Sequence, residues 1–295
     1  MSSEHPRRET LDAAERLAPA RISEWRPIVG GYSSNRRWVV TLDNGQSLFA
    51  KEAVNEDTRR WLDLERRMYE AVTADFMPTY FGWDTTAEFP VLFIEDLSTA
   101  EWPPPWTEPK IEAVRAVVEQ INNTRAPAFV GSLAAEKQRH SGWYEVARSP
   151  EGFASLGLAS DSWIDANLAS LLEVETSAQW EGDELLHLDI RSDNLCFSGS
   201  HVKVVDWNLA RVGNGAYDLL FWLPNLHLEG GPAPWEVSVE EPEMIAAIAG
   251  FFARQAPQPD PWEGSTVRQF QREQLEVALP WACKALGIPE PDLLQ

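Results

Sequence analysis

HLDIRSDN, residues 187–194, followed by VVDWN, residues 204–208, is the stretch whose reading decides the fold. Within it Asp189, Asn194 and Asp206 offer side-chain oxygens, the donors that hard divalent cations such as Mg²⁺ take while keeping part of their water. The residues between them read as a β-hairpin: Leu195 to Phe197 as one strand, Ser198-Gly199-Ser200 as a turn, and Val202 to Val205 as the returning strand. A hairpin brings its open ends together, so Asn194 is expected beside Asp206, with Asp189 in the loop that feeds them. Any one of the three could be an ordinary turn former whose side chain bonds nearby backbone. The complete pattern His-x-Asp-x-x-x-x-Asn, with an apolar strand on each side, argues for chemistry instead.

The chemistry that this pattern suits is phosphoryl transfer. In its template one Asp orients the acceptor hydroxyl and takes its proton, an Asn five places later holds a metal, and a second Asp beyond a strand holds the metal that bridges the phosphates. The two segments resemble the catalytic loop and metal loop of the aminoglycoside phosphotransferase family, kinase-like enzymes that also include choline kinase relatives. The resemblance implies that Asp189 is the catalytic aspartate and that Asn194 and Asp206 hold metal. It implies as well that Asp218, in GNGAYDLL, braces the catalytic loop from the helix beneath it. Two positions depart from the family: Leu188 stands where Gly is usual, and Asp206 is followed by Trp207-Asn208 in place of Phe-Gly, so no movable Phe switch is expected. Arg191 stands where many kinases place a Lys and is expected to touch the γ-phosphate. His187 is expected to fix the loop by hydrogen bonding.

Composition narrows the classes of function. The 295 residues with 44% hydrophobic content support real cores in one large or two modest domains. No run of about 18 apolar residues appears, so no membrane span is expected, and the N-terminal MSSEHPRRETLDAAERL lacks the apolar segment of a signal peptide. Cys196 and Cys283 give neither a disulfide framework nor zinc spacing, which fits a reducing cytoplasm. A formal net charge of −21 argues against nucleic acid, whose phosphates need clustered Lys and Arg. An acidic cleft would attract a cationic substrate, though the same charge serves solubility. The 14 Trp residues are expected mainly in packing.

The N-terminal third reads as a sheet. A helix from Thr10 to Leu17 is expected to pack on the outside. Strands are expected at Trp25 to Val29, Arg37 to Leu42, Gln46 to Ala53, Met77 to Trp83 and Phe89 to Glu95, with Asp43-Asn44-Gly45 as a hairpin turn. The loop GGYSSN (Gly30 to Asn35) could be an ordinary hairpin loop. It could also cover the phosphates of a nucleotide, with Gly30 and Gly31 permitting close approach and Ser33 and Ser34 donating. Lys51 lies between Ala50 and Glu52 with apolar Leu48, Phe49 and Val54 further out, where a lysine either meets an anion or faces water from an edge strand. On the helix expected over Asp57 to Ala74, Trp61, Met68, Tyr69 and Val72 form an apolar stripe that also carries Glu65. Glu65 either meets a cation, for which Lys51 is the candidate, or is a boundary residue reaching water; the Lys51–Glu65 pair resembles the lysine–glutamate pair that steers ATP phosphates in the kinase fold.

EDLSTAEWPPPW (95–106) marks a boundary, because Pro103 to Pro105 stop regular structure. By position in the resembling family, Glu95-Asp96-Leu97 is the hinge whose backbone meets the adenine edge, so Glu95 and Leu97 are nucleotide-binding candidates. Beyond it helices are expected at Ile111–Asn123, Ser162–Val174, Ala216–Leu226, Glu241–Arg254 and Thr266–Ala285. The mixed segment Ala126–Leu156 is where Trp143 and Tyr144 are expected to face an acceptor, and Glu236, Glu240 and Glu241 are an acidic run that could greet an amine or simply face solvent.

The expected molecule is an α+β, two-lobed, protein-kinase-like fold: residues 1–97 form a nucleotide-binding lobe with a five-stranded antiparallel sheet and one helix, and 98–295 a mainly helical catalytic lobe. Its cofactors would be ATP and Mg²⁺. Its partner would be a small-molecule hydroxyl acceptor, with neither nucleic acid nor membrane, and it would be a monomer or weak dimer. A metal-dependent phosphoesterase would need more His and carboxylate ligands than this region offers. The rival of another class is a catalytically silent kinase-like nucleotide-binding module.

Overall fold

The computed structural model of the chain describes residues 5–28, 34–86, 88–199, 201–237 and 241–294. In chain order the elements are α1 (Arg8–Leu17), β1 (Ile22–Pro27), β2 (Arg36–Leu42), β3 (Ser47–Glu52), α2 (Glu56–Ala71), β4 (Tyr80–Asp84) and β5 (Val91–Glu95). There follow α3 (Glu108–Asn122), β6 (Gly131–Ser132), α4 (Lys137–His140), α5 (Trp143–Arg148), α6 (Glu151–Ala154) and α7 (Asp161–Ser177). The chain continues with β7 (Glu184–Leu186), β8 (Leu195–Ser198), β9 (His201–Val204), β10 (Arg211–Gly213), α8 (Ala216–Leu228), α9 (Pro234–Val237), α10 (Pro242–Gln255) and α11 (Val267–Leu286).

By contact the chain forms two compact units, the first being Met1–Pro103 with Ser192–Leu209 and the second Pro104–Arg191 with Ala210–Gln295. The hairpin β8–β9 thus groups with the N-terminal sheet, whereas the sequence reading assigned it to the portion after residue 97. The reason is visible within the first unit: Val204 N–H donates to Phe76 O at 2.8 Å, and Phe197 and Glu101 exchange backbone hydrogen bonds at 2.8 and 3.0 Å.

The sheet of the first unit has the order β1-β2-β3-β5-β4, antiparallel throughout. Side chains alternate across it. One face contributes Trp38, Val40, Leu42, Leu48, Ala50, Val91 and Phe93 to a core that includes Ala13 and Ala14 of α1. Helix α1 was expected on the outside; instead it buries Thr10, Ala13 and Ala14 on this face, because two alanines let the helix axis come close. Thr10 Oγ1 donates to Glu52 Oε1 at 2.6 Å, and Arg16 pairs with Asp84 at 2.9 Å, fastening both ends of the helix. Lys51, next to Glu52, projects to the opposite face, where α2 lies. Helix α2 starts at a capping box in which the Asn55 side chain accepts from Thr58 N–H at 2.9 Å and Thr58 Oγ1 accepts from Asn55 N–H at 3.0 Å.

In the second unit α10 packs on α5, α7, α8 and α11, and a small sheet of order β6-β10-β7 lies beside α3. A close backbone approach sets α5 on α10: a Cβ on Gly142 would sit 1.9 Å from Gly250 O. The Glu175 carboxylate accepts from the N–H groups of Gly142 and Trp143 at 2.7 and 3.0 Å and so caps the start of α5. Among the described residues no helix is long and apolar enough to cross a membrane. Cys196 and Cys283 are buried free thiols whose pKa burial pushes up to about 12.

Candidate functional site

In the first unit, Lys51 is held between two carboxylates. Its Nζ lies 2.7 Å from Glu65 Oε2 and 2.7 Å from Asp206 Oδ1, and Lys51 and Glu65 are almost wholly buried. Burial is the largest influence on Lys51 and opposes its charge, yet attraction to Asp206 and then to Glu65 outweighs it and holds the pKa above the ordinary lysine value. Burial raises the Glu65 carboxyl above its usual range while the Lys51 ammonium pulls it back. Removing one partner of such a pair would strand a buried charge at a cost of about 3–5 kcal/mol.

The helical stripe that presents Glu65 differs from the expected one by one residue. Thr58, Leu62, Glu65, Met68 and Tyr69 are the buried positions, whereas Trp61 is 45% exposed. Trp61 precedes Glu65 by four residues and falls at the edge of the face that Leu62 occupies, so a large apolar side chain was mistaken for the inward one.

The hairpin supplies the oxygens. Leu195 pairs with Val204, and Val205 N–H donates to Asn194 O at 2.8 Å, which closes the open end with Asn194 and Asp206 on either side of it. Asn194 is buried at 4% exposure, while the Asp206 side chain retains 28%. Asp206 has φ 69, in the left-handed region that costs a non-glycine residue roughly 1–2 kcal/mol. Trp207 stacks on Phe76 at 5.7 Å and donates from Nε1 to Val204 O at 2.9 Å, so this ring is fixed in the core. Asn208 Nδ2 donates to Asp206 Oδ1 at 3.0 Å.

Among the described residues no group of three or more His, Cys, Asp or Glu could by itself enclose a metal ion. The donor set nevertheless suits Mg²⁺, which prefers one or two protein oxygens plus water and phosphate: an amide and a carboxylate are hard donors, and the carboxylate already holds a cation, the Lys51 ammonium.

In the second unit the loop at residues 187–189 is braced from α8. Asp218, 1% exposed, accepts from His187 N–H at 2.6 Å and Leu188 N–H at 2.8 Å. Burial raises its pKa above the usual carboxylate range, with His187 and these two donors opposing. The bracing explains Leu188, whose φ of 66 is the conformation for which glycine is usual: two bonds to a carboxylate outweigh the strain. His187, fully buried, accepts from Asp189 N–H through Nδ1 at 3.2 Å, the loop-fixing role expected of it. Arg191 Nε lies 3.3 Å from Asp189 Oδ1.

Other expected site residues fall differently. Gly30, Gly31 and Ser33 lie outside the described residues, as does Glu240, while Ser34 is exposed. The Glu95 carboxylate accepts from Thr79 N–H at 2.9 Å and lies 3.7 Å from Lys203 Nζ, so its side chain is engaged by strand neighbours. The Leu97 carbonyl accepts from Ala100 N–H and Trp102 Nε1, both at 3.0 Å. Trp143, expected to face an acceptor, is instead fully buried, edge-on to Phe153 and bonded through Nε1 to Ala246 O at 2.8 Å; Tyr144 is the exposed neighbour. Glu236 accepts from Ala233 N–H at 2.9 Å, a local turn bond. Sequence reasoning missed the hydroxyl of Tyr69 and the amide of Asn208, both bonded to Asp206; the spacing of Tyr69, four residues after Glu65, was the signal available.

No protein-family model matches the sequence, and no curated protein does. Solved structures do match the fold. An aminoglycoside phosphotransferase from Alicyclobacillus acidocaldarius aligns with TM-score 0.60 at 12% identity, over 97% of this chain and 96% of that one. A choline/ethanolamine kinase family protein from Mesorhizobium loti aligns with TM-score 0.54 at 14% identity, over 96% and 94%. A macrolide 2'-phosphotransferase from Brachybacterium faecium aligns with TM-score 0.51 at 17% identity, over 94% and 92%. With its five-stranded antiparallel sheet, its helical second unit and these alignments along nearly its whole length, the chain has the kinase-like α+β fold of the small-molecule phosphotransferase structures.

Proposed function

We propose that the protein is an ATP- and Mg²⁺-dependent phosphotransferase that moves a γ-phosphate to the hydroxyl of a small molecule. The observation that carries this reading is the ammonium of Lys51 held at 2.7 Å from both Glu65 and Asp206, a buried arrangement with one carboxylate left partly open. Lys51 steers α- and β-phosphate oxygens, and Glu65 keeps it in place. Asn194 and Asp206 would hold Mg²⁺, which when bound neutralises charge on the transferring group. Asp189 orients the acceptor hydroxyl and takes its proton, His187 and Asp218 fix the loop that carries Asp189, and Arg191 meets the γ-phosphate. The backbone of Glu95 and Leu97 meets the adenine edge. Most of the rate gain comes from alignment and electrostatic stabilisation, since phosphoryl transfer asks little covalent work of the protein. The net charge of −21 favours an amine-bearing acceptor, of the aminoglycoside or amino-alcohol kind.

One observation favours a nucleotide-binding module without turnover: the Asp189 carboxylate is already paired with Arg191. Measuring ADP release from Mg²⁺–ATP against a panel of aminoglycosides, amino alcohols and sugars separates the two. Acceptor-dependent release supports the transferase, and nucleotide binding with no transfer to any acceptor supports the module.

A further inference from the structure

Tyr69 lies at the junction of the two carboxylates. Its hydroxyl donates to Glu65 Oε1 at 3.0 Å and accepts from the backbone N–H of Asp206 at 3.3 Å. With the bonds of Lys51 to Glu65 Oε2 and to Asp206 Oδ1, a closed ring results: Lys51, Glu65, Tyr69, Asp206 and back to Lys51. Two sides of that ring run to Asp206 by different routes, one to its carboxylate and one to its backbone. We propose that Tyr69 is a positioning residue that ties the Asp206 backbone to helix α2, so that the Asp206 carboxylate can exchange Lys51 for a metal ion without its loop shifting. The inference rests on the phosphotransferase reading above for the identity of the metal–nucleotide, and on the geometry alone for the tether.

Three points of physical chemistry support it. A residue at φ 69 other than glycine persists only where its surroundings over-determine it, and the bond to Tyr69 is one of those determinants. A divalent cation arriving at Asp206 would repel the Lys51 ammonium, which removes the side-chain bond at the moment the carboxylate must stay put; the backbone bond to Tyr69 is untouched by that exchange. Finally, packing does not call for a hydroxyl. Tyr69 is 6% exposed and a phenylalanine would fill the same space, so the oxygen has value only for the two groups it joins.

The test is Tyr69→Phe, read in two ways. In the ligand-free protein, hydrogen exchange of the Asp206 amide should quicken by about tenfold or more, corresponding to a lost bond of ~1.4 kcal/mol. In nucleotide binding, the Mg²⁺ concentration needed for half-maximal binding of ADP should rise by about tenfold. An Asp206 amide that exchanges equally fast in both proteins overturns the proposal, as does an unmoved Mg²⁺ requirement where wild type binds Mg²⁺–ADP. Should the variant not fold, a wild-type Asp206 amide exchanging at the unprotected rate overturns it, and a protected one supports it. Quickened exchange with no Mg²⁺–nucleotide binding by either protein would sink the phosphotransferase reading and leave the tether standing.

Discussion

Replacing Asp218 by Asn tests how the loop that carries Asp189 is held. The carboxylate accepts two backbone N–H groups, from His187 at 2.6 Å and Leu188 at 2.8 Å, at a site only 1% exposed. A hydrogen bond to a charged group contributes about 1.5–3 kcal/mol, and a neutral one about 1. Asparagine keeps one acceptor at the neutral strength and turns an N–H toward the other donor, so roughly 2–5 kcal/mol of local stability should go. Leu188, at φ 66, is then free to relax toward an ordinary conformation, carrying Asp189 with it. At tenfold per ~1.4 kcal/mol, exchange of the His187 and Leu188 amides should quicken roughly 30- to 4000-fold. Hydrogen exchange followed by NMR or by mass spectrometry across residues 185–192 measures this directly. Transfer activity should fall with it, while ADP binding, assigned to first-unit residues, should stay within twofold. Exchange of the two amides within threefold of wild type would mean that Asp218 does not brace the loop.

Other expected outcomes follow the same logic. Arg191→Ala should lower kcat at least tenfold, about 1.4 kcal/mol, if the guanidinium meets the γ-phosphate; steady-state kinetics at saturating ATP decide it, and an unchanged kcat rejects the role. Thr10→Val keeps shape but removes the donor to buried Glu52, so urea unfolding should show a loss of about 1.5–3 kcal/mol; a change under 0.5 kcal/mol would mean α1 is held by packing alone. Burial, with Arg139, Arg211 and Arg254 adding to it against Glu136, depresses the His140 pKa from 6.5 to about 4. The unfolded chain therefore takes up this proton first as pH falls, so the wild type should lose stability from pH 6.5 down to about 4, by on the order of 3 kcal/mol. His140→Asn should lack that segment of the pH–stability curve, and a parallel curve would contradict the shift.

What could be read from the chain, and what could not, divides along physical lines. The hairpin was legible because alternating apolar residues around Ser198-Gly199 leave one register, Leu195 opposite Val204. Lys51 and Glu65 were legible because a charge among apolar neighbours needs a counter-charge, and they lie 2.7 Å apart. Helix phase was less secure: Trp61 and Leu62 both suit an apolar stripe, and only packing against the sheet selects Leu62. Trp143 sits where no periodicity operates, so nothing local told a core tryptophan from a pocket wall. The burial of α1 and the ring through Tyr69 depend on contacts across long sequence separations, Thr10 with Glu52 and Tyr69 with Asp206, which no local pattern encodes.

The account depends most on Asp189 as the group that activates the acceptor. The direct measurement is Mg²⁺-dependent transfer of labelled γ-phosphate from ATP to the acceptor panel by wild type and by Asp189→Asn, alongside ADP binding by both. The expected result is labelled acceptor from the wild type, a loss of at least 100-fold in the variant, about 2.7 kcal/mol of transition-state stabilisation, and equal ADP binding. Equal transfer by both proteins, or ADP binding by the wild type with no labelled product from any acceptor, would contradict it.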